Sequence, residues 1–141
     1  MSKPVVPSQC PCGSGAKYKR CCRPLHEGGD ASSPETLMRA RYSAFVLGRV
    51  RYIIETTVPL GPQWRKDRGA WSEDLERYCQ QVTFRKLTIL SSPPPTTRAT
   101  PEGQVHFRAE FVGPNGIGAL VERSRFLQIG GCWLYHSGMS E

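Results

Sequence analysis

Cys10, Cys12, Cys21 and Cys22 are four of the chain's six cysteines, crowded into residues 10–22 as C-x-C, eight intervening residues, then C-C. Thiolates at this density are soft ligands, and a tetrahedral zinc ion takes four of them where the backbone doubles back sharply. Gly13-Ser14-Gly15 directly follows the second cysteine and supplies residues that tolerate positive φ at such a reversal. The short loop between the pairs closes at small entropic cost. The competing reading is redox or disulfide chemistry. It is the weaker one, because adjacent Cys21 and Cys22 do not bridge in normal backbone geometry and MSKPVVPSQCPCGSG lacks the apolar run of a secretory signal. Four protein thiolates leave no open coordination position, so the expected ion is structural, one zinc per chain, and not catalytic. His26, four residues beyond Cys22, could substitute as a ligand, but Cys22 makes it unnecessary and the imidazole is expected in solvent.

Lys17, Lys19, Arg20 and Arg23 surround the aromatic Tyr18 within and beside this cluster. With Tyr18 expected to be exposed among them, they form a basic surface with one ring in it, suited to an acidic protein or to the phosphates and bases of RNA. The whole chain carries 19 Lys and Arg against 12 Asp and Glu, a formal +7. Four thiolates contribute −4 and a zinc ion +2, which takes that figure to +5. The case for an acidic partner therefore rests on where these particular residues point. Cys79 and Cys132 stand far from the cluster and are expected to be buried apolar residues.

The elements that must carry these groups follow from composition and period. Among 141 residues, 1–33 are rich in Pro, Gly, Cys and Ser and lack the apolar pattern of a hydrophobic core, so they read as a metal-organised segment with a linker. Residues 34–141 then form the packed domain. Ser33-Pro34-Glu35 is a helix start, with N-cap, first-turn proline and an acid at the positive dipole end. Leu37, Met38, Tyr42, Phe45 and Val46 make its apolar stripe, and Gly48 stops it. A second short helix is expected from Val50 to about Thr57, closed by Pro59, and a third after Ser72, with Leu75, Tyr78 and Val82 on one face. Beyond Val82 the period changes to two. Thr83–Leu90, Gln104–Val112, Gly118–Gln128 and Cys132–His136 read as four antiparallel strands, with Pro114-Asn115-Gly116 and Gly130-Gly131 as hairpin turns and Ser91–Gly103 as a proline-rich surface loop. The fold class is α+β.

CPCGSGAKYKRCC, residues 10–22, resembles the SEC-C motif, the zinc knuckle at the C-terminus of the SecA translocation ATPase. Pro34-Glu-Thr-Leu-Met-Arg-Ala-Arg-Tyr-Ser-Ala-Phe-Val46 and Glu122-Arg-Ser-Arg-Phe126 resemble the YchJ-like family of bacterial proteins, in which a SEC-C motif precedes a domain of nuclear transport factor 2-like (cystatin-like) fold. The resemblance implies helices packed on a curved antiparallel sheet, with a cone-shaped pocket that some relatives use for catalysis and others for partner binding. It also implies, by analogy with the motif in the translocation ATPase, contact with an acidic protein surface or the ribosome. Two departures stand out. No cysteine follows Cys132, where some members carry a second SEC-C motif, and Val58 precedes Pro59 where members show a histidine.

Two readings of the sheet remain open. His106, Arg108 and Glu110 alternate with Val105, Phe107, Ala109 and Phe111, while Val121, Arg123, Arg125 and Leu127 alternate with Leu120, Glu122, Ser124 and Phe126. Arg108, Glu110, Glu122, Arg123 and Arg125 either line a charged pocket or docking surface together with Tyr42 and Trp71, or pair across strands on a solvated face, with the two aromatics in the core. Carboxylates flanked by arginines have lowered pKa values and make poor general acids. The chain has no G-x-S-x-G elbow, no G-x-x-x-x-G-K-[ST] loop and no H-E-x-x-H, and no catalytic residue is assigned. A binding module with a structural zinc knuckle is the leading reading, and a small-molecule-binding or enzymatic pocket is the alternative. Sequence-specific DNA binding is not expected, since the arginines are dispersed and no recognition helix stands out. The composition offers no membrane span, and the expected location is the cytoplasm.

Overall fold

The computed structural model describes residues 8–140, so the first seven residues of the 1–33 segment and Glu141 lie outside the description. The chain runs through a single 3-10 turn at Tyr18–Arg20, helices α1 (Cys22–His26), α2 (Pro34–Leu47), α3 (Val50–Glu55) and α4 (Arg68–Gln81), and then strands β1 (Thr83–Ser91), β2 (Glu102–Gly113), β3 (Gly116–Ile129) and β4 (Cys132–Ser140). The strands form one antiparallel meander in the order β1-β2-β3-β4. This is the α+β arrangement that the change from helical to strand period implies. Each strand is one to four residues longer than expected, because ladder pairing continues past the alternating apolar core, as at Gly113 opposite Gly116.

Helix α2 is the element on which everything else is mounted. Ser33 caps it, with its Oγ accepting from the Thr36 amide at 3.1 Å, and Pro34 occupies the first turn. Ser33→Ala is expected to cost about 1 kcal/mol through the orphaned amide. That loss lowers the melting temperature by roughly 3–5 °C, measurable by circular dichroism. The helix lies across β1, β2 and β4, and Leu37, Ala40, Tyr42, Ala44 and Leu47 join Val105, Phe107, Ala109, Phe126 and Trp133 in one core.

Helix α4 begins earlier than expected. Asp67, and not Ser72, is its N-cap, its carboxylate accepting from the Ala70 amide at 2.9 Å, so that Trp71 falls in the first turn and is buried. An acidic cap is the stronger one where the N-terminal dipole end is exposed. After α3 the chain turns onto the free edge of β4. Val58 N–H donates to the Tyr135 carbonyl at 2.8 Å, and Tyr135 N–H donates to the Thr56 carbonyl at 2.7 Å. These two bonds fix the end of α3 against the sheet and close one side of the space between helices and strands.

Candidate functional site

The reversal at Gly13-Ser14-Gly15 is built on φ values of +82° and +86° at the two glycines, a region that side chains with a Cβ rarely adopt. It returns the chain so that Cys10 N–H donates to the Ala16 carbonyl and Tyr18 N–H to the Ser8 carbonyl, at 2.9 and 3.0 Å. The next turn and α1 then bring Cys21 and Cys22 to the same point. The four sulfurs of Cys10, Cys12, Cys21 and Cys22 all lie within 4.8 Å of one another. Cys12 and Cys21 are 3.6 Å apart and Cys21 and Cys22 3.9 Å. A tetrahedral ion with metal–sulfur bonds of about 2.3 Å requires sulfur–sulfur edges of about 3.8 Å, so the donor set fits such an ion.

The surroundings of the sulfurs support the same reading. Ser43 Oγ, from α2, donates to Cys22 Sγ at 3.3 Å and lies 3.4 Å from Cys10 Sγ, while Ser14 Oγ sits 3.2 Å from Cys21 Sγ. Left to share protons among themselves, the thiols separate strongly. Hydrogen bonds from Cys10 and then Cys22 pull Cys12 far below the ordinary thiol range; Cys22 is pushed far up, chiefly by its bond to Cys10 and then that to Cys12; burial raises Cys21. A divalent cation is the group that lets all four ionise together.

The knuckle is not a separate appendage. Cys10, Cys12, Cys22 and Tyr18 belong to the same hydrophobic core as α2 and the sheet. Arg39 Nη1 donates to the Cys12 carbonyl at 2.8 Å. His26 is not solvated, as the sequence suggested, but half-buried. Its Nε2 lies 2.8 Å from the Ala40 carbonyl and its Nδ1 2.7 Å from the Tyr18 hydroxyl. A carbonyl only accepts, so the proton sits on Nε2, and Tyr18 donates to Nδ1. Burial keeps the ring below its usual pKa and hence neutral.

That bridge also corrects the expected surface. Tyr18 is 5% exposed, its ring held between His26 and the core, and it is not available to a partner. Lys17, Lys19, Arg20 and Arg23 remain exposed, with Arg23 Nε on Glu27 at 3.1 Å. The basic face exists without the aromatic.

The sheet residues separate by face. Glu122 and Ser124 of β3 point under the sheet together with Phe126 and join Tyr42 and Trp71 around a cavity of about 230 Å³. Arg108, Glu110, Arg123 and Arg125 do not line it. They occupy the other side of the pleat, where Arg108 Nε lies 4.0 Å from Glu110 and Arg125 is forked onto Glu102 at 2.8 and 3.1 Å. Strand alternation forbids Glu122 from sharing a face with Arg123 and Arg125. Cys79 is buried, whereas Cys132 is half-buried and lies 3.3 Å from an Asp30 carboxylate oxygen.

Arg41 went unnoticed in the sequence, although it stands at Leu37 + 4 and Phe45 − 4, on the apolar stripe of α2. It is 7% exposed. Its Nη1 donates to the Ile53 carbonyl at 2.9 Å, to Thr56 Oγ1 at 2.8 Å and to Thr57 Oγ1 at 3.4 Å, and the guanidinium lies 4.4 Å from the Tyr135 ring centroid. Burial lowers its pKa to about 10, which leaves it charged at neutral pH.

A four-cysteine knuckle packed on the first long helix of a helix-on-sheet cone defines the class: a motif whose sulfurs could hold a metal ion, fused to a nuclear transport factor 2-like domain. The matches to known families divide the chain in the same way, residues 7–24 to the SEC-C motif and residues 33–138 to the middle, NTF2-like domain of YchJ. The chain belongs to the YchJ-like family, whose members include the UPF0225 proteins. A UPF0225 protein of Vibrio cholerae is 40% identical over 131 residues, 92% of this chain and 81% of the relative, and one of Deinococcus radiodurans is 37% identical over 96% of each. Among solved structures, a SEC-C motif protein of Rhodopseudomonas palustris superposes with a TM-score of 0.76 at 32% identity, covering 94% of this chain and 98% of that one. A SEC-C motif protein of Psychrobacter arcticus gives 0.74 at 27% identity, over 94% and 82%. No helix among the described residues is long and apolar enough to cross a membrane.

Proposed function

We propose that the protein is a binding module in which a zinc ion, held by Cys10, Cys12, Cys21 and Cys22, fixes a basic face that docks on an acidic protein surface. The zinc assignment is supported by four sulfurs at tetrahedral spacing and by the closed shell they make, which suits a structural ion. The observation that carries the docking reading is the contrast within one short segment. Tyr18 and three of the cysteines are buried against α2, while Lys17, Lys19, Arg20 and Arg23 all stay in solvent on the rigid body so formed. Cations held on a rigid body lose little entropy on binding, which favours their use in recognition. With Tyr18 withdrawn, the base-stacking part of an RNA-binding reading falls away and charge remains. An acidic protein partner is therefore favoured over the ribosome, to which the motif's resemblance also points.

The test uses a polyglutamate peptide and purified ribosomes as separate probes, titrated by fluorescence anisotropy and co-sedimentation. The Lys17→Ala, Lys19→Ala, Arg20→Ala triple variant is expected to weaken peptide binding by about 30-fold or more at low ionic strength, as three charge contacts of roughly 0.7 kcal/mol each are lost. The parent's affinity falls steeply with added salt. Equal affinities of parent and variant for the peptide would show the knuckle to be only a structural cap, and a selective loss on ribosomes would reassign the partner.

A further inference from the structure

A second site lies away from the knuckle, in the cavity between the helices and the concave side of the sheet. Its volume of about 230 Å³ holds a molecule of roughly eight to ten non-hydrogen atoms, since a water occupies about 30 Å³ of liquid. Its walls include the rings of Tyr42, Phe45, Trp71, Tyr78, Phe84 and Phe107. These rings already pack on one another, with Tyr42 5.6 Å and Tyr78 6.4 Å from Phe84 between centroids and Phe45 5.8 Å from Tyr78, so the space they leave is not one that a small rotation of a side chain closes.

Arg41, Glu122 and Ser124 of the cavity stand around Tyr135. Arg41 lies over its ring at 4.4 Å, and Tyr135 stands in the fields of both Glu122 and Arg41. Ser124, 1% exposed, donates to Glu122 Oε2 at 2.8 Å. Two features mark this as a built arrangement and not leftover surface. Arg41 spends only Nη1 on the Ile53, Thr56 and Thr57 acceptors, all of them uncharged, and the residue lines the cavity. The glycine at 138 leaves the Glu122 carboxylate its present place, which a Cβ there would overlap. A buried cation whose bonded partners are all uncharged is costly, and a carboxylate lies in the same cavity without pairing with it.

The two formal charges in the cavity, Arg41 and Glu122, cancel. A ligand with a net charge would leave one of them unbalanced in a site of low polarity, whereas a neutral molecule with an acceptor and a donor side by side satisfies both. We propose that this cavity binds a small uncharged aromatic molecule of the carboxamide type, its ring among the aromatic walls, its carbonyl oxygen on Arg41 and its N–H on Glu122.

Calorimetric titration of the intact chain with benzamide, benzoate and benzylamine tests the assignment. Benzamide is expected to saturate a single site, with the two charged analogues at least about tenfold weaker, a difference of about 1.4 kcal/mol. Leu120→Trp, which fills the cavity from β3, abolishes benzamide binding while the chain still melts cooperatively. Glu122→Gln leaves Arg41 as the unbalanced charge, so the preference turns over and benzoate binds about tenfold tighter than benzamide. This second variant carries the test if Leu120→Trp fails to fold. Absence of saturable benzamide binding, benzoate or benzylamine binding as tightly as benzamide to the parent, benzamide binding retained by folded Leu120→Trp, or an unaltered preference in Glu122→Gln would each overturn the proposal.

Discussion

Cys22→Ser should retain less than about a tenth of the parent's bound metal and should melt roughly 10–15 °C lower, a loss of about 4 kcal/mol. A serine hydroxyl is a poor ligand beside three thiolates, so the ion is lost and not merely loosened. The effect reaches beyond the knuckle because Cys22 is 2% exposed, its sulfur accepts from Ser43 Oγ of α2 at 3.3 Å, and it lies in the same core as Leu37, Ala40 and Phe126. Without the ion, the chain from Gln9 to His26 loses the restraint that holds Tyr18 and His26 against α2. Elemental analysis of the purified variant gives the metal ratio, and scanning calorimetry gives the melt. Chelator-treated parent should converge on the variant's transition. A metal-free variant that melts with the untreated parent would show that the knuckle contributes nothing to the domain.

Arg41→Ala is expected to cost about 3–4 kcal/mol in urea denaturation, with the slope of the transition unchanged. The substitution removes three hydrogen bonds from Nη1, leaves the Ile53 carbonyl with only the Thr57 and Thr56 hydroxyls as side-chain donors, takes a donor from the Thr57 hydroxyl in a buried setting, and deletes the stack on Tyr135. It also enlarges the cavity it lined. Arg41→Lys keeps the charge but cannot both reach the end of α3 and stack as a plane, so it should recover less than half of the loss. If Arg41→Ala is as stable as the parent, the guanidinium is not the clamp between α2 and the α3–β4 junction. The same two variants separate fold from recognition, because Arg41→Ala is expected to leave the basic face of the knuckle, and therefore peptide binding, intact wherever the chain remains folded.

Most of the scaffold was legible along the chain because the signals that set it are local. Ser33 followed by Pro34 starts α2 whatever lies above it, the change of period after Val82 separates helices from strands, and paired glycines turn the hairpin at 130–131. The cluster was legible for the same reason: four sulfurs within 13 residues have few places to go. Where local signals competed, the reading slipped. Both Asp67 and Ser72 are able caps, and what decided between them was the burial of Trp71, a tertiary matter.

What the sequence determined by itself, then, is the inventory and its period: a four-cysteine knuckle, helices, a four-strand antiparallel sheet, and the cations around the knuckle. Tertiary structure decided which side chains are withdrawn and which remain. Tyr18 reads as one ring among cations until His26, itself held by the Ala40 carbonyl, gives its hydroxyl and its ring a buried partner. Arg41 reads as one of 19 basic residues until α3 offers it three acceptors. Glu122 and Arg123 are neighbours in the chain but opposed in space, because successive strand residues point to opposite faces and only the helices lying beneath the sheet determine which face is a cavity and which is solvent. Exposure is set by what packs against a residue from elsewhere in the chain, and that information is absent from the residue's own surroundings in sequence.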